Sequence, residues 1–225
     1  NEILQQQKEE ITMQRDEITK QRDYVTIQKE KIENQNKLIE YIINYAIIIQ
    51  ADLLPKIEKI KSDFADSFVL YKPRDIVSGD FFWYKKINKC KILVAADCTG
   101  HGVPGAFMSM LGSSLLNEIV TSRTMDGAAE ILNRLRSKIK KSLHQKGEEG
   151  EQKDGMDLSL MIIDWETLEL QFAGAYNSLL ILRKKDDFDE SKPDSENDEV
   201  IKIKADRQPM GIYIYQNEFR CHTFQ

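Results

Sequence analysis

The sequence predicts an α+β protein, an antiparallel sandwich of strands and helices preceded by a long coiled-coil helix. Three observations support this class. Residues 1 to 60 contain no Gly, and their only Pro is Pro55. Over the same stretch Leu4, Ile11, Ile18, Val25, Ile32 and Ile39 recur every seven residues, and the phase continues to Ala46 and Leu53. Downstream, short apolar strands come first, two helical stretches follow, and further strands close the chain. That order suits an antiparallel α+β domain better than parallel βαβ units.

The seven-residue stripe is long enough to predict a coiled coil. With the stripe at position a, position d reads Gln7, Gln14, Gln21, Gln28 and Gln35, then Ile42 and Ile49. The seam is therefore half-polar and weak at first, and fully apolar from Ile42 to Ile49. In a parallel dimer Glu10 would face Arg15 of the other copy, and Glu17 would face Arg22. These opposite charges favour a parallel homodimer, although each exposed pair contributes little. One solvated helix packed on its own domain is the alternative. Between Ile42 and Leu54 nearly every helical face is apolar, so this stretch is expected to dock on the globular domain or in a thicker dimer interface. Pro55 then breaks the helix.

The remainder divides by pattern. Phe68–Tyr71, Asp80–Lys86 and Lys91–Ala96 read as strands. A helix is expected from Pro104 to about Ser122, with Pro104 in its first turn. A second is expected from Asp126 to about Leu143, capped by Asp126. Leu158–Ile163, Leu168–Ala173 and Leu179–Arg183 resemble antiparallel strands, with a hairpin turn over Asp164–Thr167. Lys184–Glu199 is charged and poor in apolar residues, so it reads as a mobile loop. Val200–Lys204 and Phe219–Phe224 close the set. The expected domains are a helix over 1–54 and a globular domain over 55–225.

The chain has 225 residues and a net charge of -5. That balance argues against a general nucleic-acid binder. Cys90, Cys98 and Cys221 lack metal-type spacing, so reduced thiols and a cytoplasmic location are expected. No secretory signal is apparent, and no window was expected to reach the roughly 18 to 20 apolar residues of a membrane span.

Two stretches carry the chemistry. In Ile76-Val77-Ser78-Gly79-Asp80-Phe81-Phe82-Trp83, Asp80 stands at the start of a strand. An Asp in that setting equally suits a plain turn. In Ala95-Ala96-Asp97-Cys98-Thr99-Gly100-His101-Gly102-Val103-Pro104-Gly105-Ala106, Asp97 ends an apolar strand and opens a glycine-rich turn into a helix. A buried carboxylate without a partner is costly, so Asp97 calls for one. Its alternative is an Asx turn or cap for the coming helix. Two carboxylates and exposed carbonyls at one sheet rim suit hard divalent cations such as Mg²⁺ or Mn²⁺. His101, between two glycines, could serve as an acid, a hydrogen-bond donor or loop support. The following helix directs its N-terminus to the same rim, which favours a phosphate there.

These two stretches closely resemble the bacterial SpoIIE/RsbU-like branch of the PPM (type 2C) protein serine/threonine phosphatases. Asp154-Gly155-Met156-Asp157, Ala173-Gly174-Ala175-Tyr176-Asn177 and Gln208-Pro209-Met210-Gly211-Ile212 match in order. Upstream, Tyr45 to Pro55 is similar to the helical lead-in of such domains, so the resemblance covers about residues 42 to 225. It implies a PPM-type β-sandwich of two sheets flanked by helices, and a binuclear Mn²⁺ or Mg²⁺ centre. By resemblance, Asp97 bridges both metals, the backbone carbonyl of Cys98 is a further ligand, and Asp80 is the upstream ligand. The implied chemistry is attack of metal-activated water on phosphoserine or phosphothreonine, with no phosphoenzyme and no cysteine nucleophile. The implied partners are an upstream sensor and a phosphorylated protein, such as a STAS-type anti-sigma-factor antagonist. The implied role is signal transduction, regulated through the coiled coil.

The family completes its metal site with two later aspartates, and the sequence stops at Gln225 before either motif. Asp157, Asp164 and Asp206 do not match those positions. The expectation is a domain without its C-terminal part. A non-catalytic dimeric binding module of PPM-like shape is therefore the second reading. A different metal-dependent phosphohydrolase is a weaker third, since no His-rich ligand set is present. Residues 1–225 alone are expected to bind metal poorly and to hydrolyse little. Robust Mn²⁺-dependent hydrolysis of a phosphopeptide by this chain would refute that expectation.

Overall fold

The computed structural model describes residues 1–64, 66–121, 126–146, 154–185, 198–211 and 216–225. The chain divides into two compact units, 1–45 and 46–225. Helix α1 (Glu2–Leu53) fills the first unit, and its last residues belong to the second. The seven-residue stripe is exposed along this helix: Leu4, Ile11, Ile18, Val25, Ile32 and Ile39 all face solvent. The d-position Gln14 and Gln21 instead bond within the helix, to Glu10 and Glu17. An apolar seam left open in this way is what a partner helix would cover.

One expectation about this helix fails. Within Glu2–Asp63 an 18-residue window reaches mean hydropathy 1.3 with few charges, long and apolar enough to cross a membrane by length and composition. The isoleucines between Ile42 and Ile49 raise the mean. Gln50, in the same apolar stretch of sequence, is buried in the globular unit and hydrogen-bonded there.

α1 ends at Leu53, where Pro55 stops it, and a short helix α2 (Ile57–Asp63) follows. The remaining elements are β1 (Phe81–Ile87), β2 (Cys90–Cys98), α3 (Gly102–Ile119), α4 (Ala128–Ser142), β3 (Met156–Asp164), β4 (Leu170–Ala175), β5 (Leu179–Lys184), β6 (Asp198–Ile203) and β7 (His222–Phe224). Strands β1-β2-β3-β4-β7 form one antiparallel sheet, and β5-β6 form a second, two-stranded one. The fold is the α+β class with antiparallel sheets that the sequence predicts.

Strand period decides what each face holds. Ile92, Val94, Ala96 and Cys98 of β2 join Met156, Leu158, Leu160 and Ile162 of β3 in the core. Leu116, Ile119, Leu132, Leu135 and Ile139 of α3 and α4 are part of that core. The opposite parity, Leu93, Ala95 and Asp97 with Asp157, Ser159 and Met161, lies on the other face. Part of that face is covered by the segment after α1, where Phe64 meets Tyr84 and Trp165 edge-on. The buried Lys91 anchors the segment. Its Nζ donates to the Asp63 carbonyl at 2.6 Å and lies 3.3 Å from the Trp165 ring centre.

Three local expectations differ from the structure. Phe68–Tyr71 is not a strand: its side chains alternate between exposed and half-buried, but among the described residues it pairs with no strand, and β1 stays an edge strand bonded only to β2. Asp126 does not cap α4. Gly127 holds that position with no side-chain cap, and Asp126 pairs with Arg134 instead. At the ends of the expected loop Lys184–Glu199, Arg183 and Lys184 pair across β5-β6 with Glu199 and Asp198. Residues 186–197 of that loop lie outside the described residues. The turn over Asp164–Thr167 is as expected, with Asp164 Oδ1 accepting from the Glu166 and Thr167 N–H groups.

Candidate metal centre

The rim of the large sheet collects residues of the Asp80 and Asp97 stretches and of the Asp154–Asp157 and Gln208–Gly211 motifs. Its assembly depends on backbone approach. A Cβ on Gly79 would lie 2.8 Å from the Gly100 carbonyl oxygen and 3.1 Å from that of Cys98. A Cβ on Gly105 would lie 2.6 Å from the same Gly100 oxygen and 3.0 Å from the Gly79 Cα. No side chain fits in either place, so the loop before β1, the turn after β2 and the start of α3 pack backbone to backbone. Gly100, at φ +88°, holds the left-handed conformation of that turn.

This packing brings two carboxylates together. The β1–β2 register pairs Phe81 with Ala96, and one step further sets Asp80 opposite Asp97. The Asp97 carboxylate is near enough for its charge to act on the Asp80 carboxyl. Asp80 stays open to solvent, yet partial burial and then the Asp97 carboxylate push its carboxyl above the ordinary Asp range. Cys98 is buried, and its carbonyl oxygen faces the Gly79 backbone. Burial first, then the charges of Asp97 and Asp80, push the Cys98 thiol far above its ordinary range. A buried thiol held in that range is a poor nucleophile.

The structure adds a third carboxylate. Asp157 of β3 is the direct cross-strand partner of Asp97. Burial and Asp97 raise its carboxyl too. Asp80, Asp97 and Asp157 thus form a row across β1, β2 and β3. By its place in the sequence Asp157 matches neither of the family's later aspartates. Counting the two-residue period of β3 from its buried Leu158, Leu160 and Ile162 would have placed it on the Asp97 face. Asp164 and Asp206 lie elsewhere, paired with Lys89 and Arg220. Among the described residues no group of three His, Cys, Asp or Glu converges closely enough to hold a single metal ion. The oxygen-only donors fit Mn²⁺ or Mg²⁺ chemistry in kind, and the Asp80–Asp97 repulsion is what a cation would relieve, but they make part of a coordination shell.

Asp97 lines several hollows, and two of them lie at the glycine-rich turn. One, of about 220 Å³, is lined by Arg74, Asp75, Asp80, Asp97, Gly100 and His101 among others. His101 Nδ1 lies 2.8 Å from Asp75 Oδ2, so this exposed ring is held by a carboxylate from the preceding loop. The other, of about 170 Å³, is lined by Asp97, Thr99, Gly155, Asp157, Pro209 and Gly211 among others. There Thr99 N–H donates to the Gly155 carbonyl at 2.9 Å, and Gly155 N–H donates to Thr99 Oγ1 at 3.1 Å. Met156 and Met210 exchange two backbone hydrogen bonds. The Asp154–Asp157 and Gln208–Gly211 motifs are therefore one wall of the site.

Residues 88–225 match the family model described as Stage II sporulation protein E (SpoIIE). Among solved structures, the chain is similar to the SiaA PP2C domain of Pseudomonas aeruginosa, with 28% identity and TM-score 0.64, over 84% of this chain and 68% of that one. It is also similar to the PP2C phosphatase domain and regulatory fragment of SpoIIE from Bacillus subtilis, with 20% identity and TM-score 0.49, over 66% of this chain and 38% of that one. A further similar structure is RsbX in complex with magnesium, with 18% identity and TM-score 0.47, over 70% of this chain and 65% of that one. No curated protein sequence matches the chain.

A carboxyl held above its ordinary value gives a signed prediction. The native state then binds the proton more tightly than the unfolded chain. Its stabilising contribution is full below the unfolded value and is lost as pH rises through the native one. In metal-free buffer, Asp80→Asn should therefore gain stability relative to the parent as pH rises from about 4 to 7. Urea midpoints of the two proteins across that range test this. A constant difference would contradict it.

Proposed function

The chain belongs to the SpoIIE family, with the fold of a PP2C phosphatase domain, and from that premise we propose that it serves a metal-dependent protein serine/threonine phosphatase. The observation that carries this reading is the Asp80–Asp97 pair at the rim, beside the Cys98 carbonyl and the start of α3. These are the residues that would hold Mn²⁺ or Mg²⁺, with Asp157 as a neighbour on the Asp97 side. A bound divalent cation would supply charge neutralisation and an activated water.

The chain's own groups account for the rest. Arg74 lines the same hollow as both aspartates, and its guanidinium suits phosphate oxygens. The N-terminal turn of α3 directs backbone N–H groups to that rim, where they favour a dianion. His101, held at Nδ1 by Asp75, keeps Nε2 as the nitrogen that could pass a proton to a departing seryl oxygen. Cys98 takes no part, because its thiol is buried and protonated.

The physiological setting is part of the same proposal. The open seven-residue seam of α1 supports a parallel homodimer through the coiled coil. An upstream sensor would act through that helix, in the cytoplasm. The substrate class would be a phosphorylated protein, such as a STAS-type antagonist. A non-catalytic module with the same fold is the second reading, favoured by the lack of a three-residue ligand group among the described residues.

Hydrolysis of a phosphoserine peptide by the parent protein separates the two. The phosphatase reading expects Mn²⁺-dependent turnover that falls by about 100-fold or more in Asp97→Asn, since the cation site is lost. It also expects Arg74→Ala to raise KM more than it lowers kcat. Turnover without a metal, or turnover indifferent to Asp97→Asn, would contradict it.

A further inference from the structure

Gln50 is the buried residue of α1, at 7% exposure, in the run 46–51 that is otherwise made of Ile and Ala. A buried amide is costly unless its polar atoms are bonded. Here they are bonded to one residue's backbone. Gln50 Nε2 donates to the Ser78 carbonyl at 2.6 Å, and Gln50 Oε1 accepts from the Ser78 N–H at 3.0 Å. One side chain thus offers Ser78 the pair of bonds that an adjacent strand would. Gln50 Nε2 also lies 2.8 Å from Ser109 Oγ, which ties the clamp to α3.

The loop needs such a partner. Among the described residues, positions 72–79 make no backbone–backbone hydrogen bond. Ser78 in turn holds Asp80: its Oγ accepts from the Asp80 N–H at 3.0 Å. Two hydrogen-bonded steps therefore lead from the end of α1 to the backbone of a carboxylate at the rim. An apolar residue at position 50 would fill the space but would leave the Ser78 N–H unpaired and buried, because Ser78 is only 5% exposed, and would leave the Ser78 carbonyl to Ser109 Oγ alone, at 3.1 Å.

We propose that Gln50 is a positioning residue, which fixes the Ser78–Asp80 loop and so sets the Asp80 carboxylate against Asp97. For the function of the site, this rests on the reading of Asp80 as a metal ligand. It makes the register of the last turns of α1 a determinant of the geometry at Asp80. A shift of that helix by a fraction of a turn breaks both Ser78 bonds at once.

The test uses the full 225-residue chain and amide exchange followed by NMR. Gln50→Met keeps an unbranched side chain and removes both the donor and the acceptor. The proposal expects exchange at Ser78 and Asp80 to rise by about tenfold or more, while Leu160 and Ile162 in the core stay protected. It also expects the Mn²⁺ concentration that half-broadens the Asp80 amide signal to rise in the same variant. Gln50→Glu, of equal shape, is the second variant and covers the case in which the first fails to fold. It should lose loop protection while ionised and regain it when protonated, because only the acid form can donate to the Ser78 carbonyl. Unchanged exchange at Ser78 and Asp80, or protection lost equally across the core, would overturn the proposal. If Mn²⁺ leaves the Asp80 and Asp97 signals of the parent chain unchanged, the metal reading falls, while the exchange result still decides the clamp.

Discussion

Gly79, Gly100 and Gly105 let three backbone segments meet with nothing between them, and the rim of the sheet follows from that approach. Two of the glycines would place a Cβ under 3 Å from the Gly100 carbonyl oxygen. Any side chain there would push the loop before β1 away from the turn after β2. Asp80 would then lose its neighbour Asp97, and the Cys98 carbonyl would no longer face the loop. The carboxylate pair thus depends on absent side chains as much as on the residues present.

The pair in turn is costly to the fold. Two carboxylates set opposite each other on adjacent strands repel when both are ionised, and Asp157 adds a third charge across the next strand. The sheet core beneath supplies the stability that tolerates this. Ile92, Val94, Leu158 and Leu160, from the buried parity of the same two strands, are nearly fully excluded from solvent. A site whose groups are held against their own repulsion is a candidate for binding an opposite charge. Gln50 contributes the remaining constraint, because the loop that bears Asp80 has no strand partner of its own.

Much of this was legible in the sequence. The seven-residue spacing gave α1, Pro55 gave its end, and alternation gave the core strands to within a few residues. Asp80 and Asp97 stood out because each interrupts an apolar strand end beside glycines. What sequence could not supply was pairing. Phe68–Tyr71 carries a strand's alternation but lies beside an edge with no partner, so it stays irregular. Asp126 has a capping residue's chemistry but is taken by Arg134. Asp157 became visible only when the β2–β3 register set it against Asp97. Gln50 lies in a stretch that reads as apolar on nearly every face, and its bonds to Ser78 span a separation of 28 positions.

The central claim is that Asp80 and Asp97 form one charge-coupled pair at the sheet rim. The most direct measurement is a ¹³C NMR titration of the Asp80 side-chain carboxyl in metal-free protein, compared between the parent chain and Asp97→Asn. The account predicts an Asp80 midpoint above the ordinary Asp value of about 3.9 in the parent, and a lower midpoint once the Asp97 charge is removed. An ordinary midpoint in the parent, or one that Asp97→Asn leaves unchanged, would contradict it.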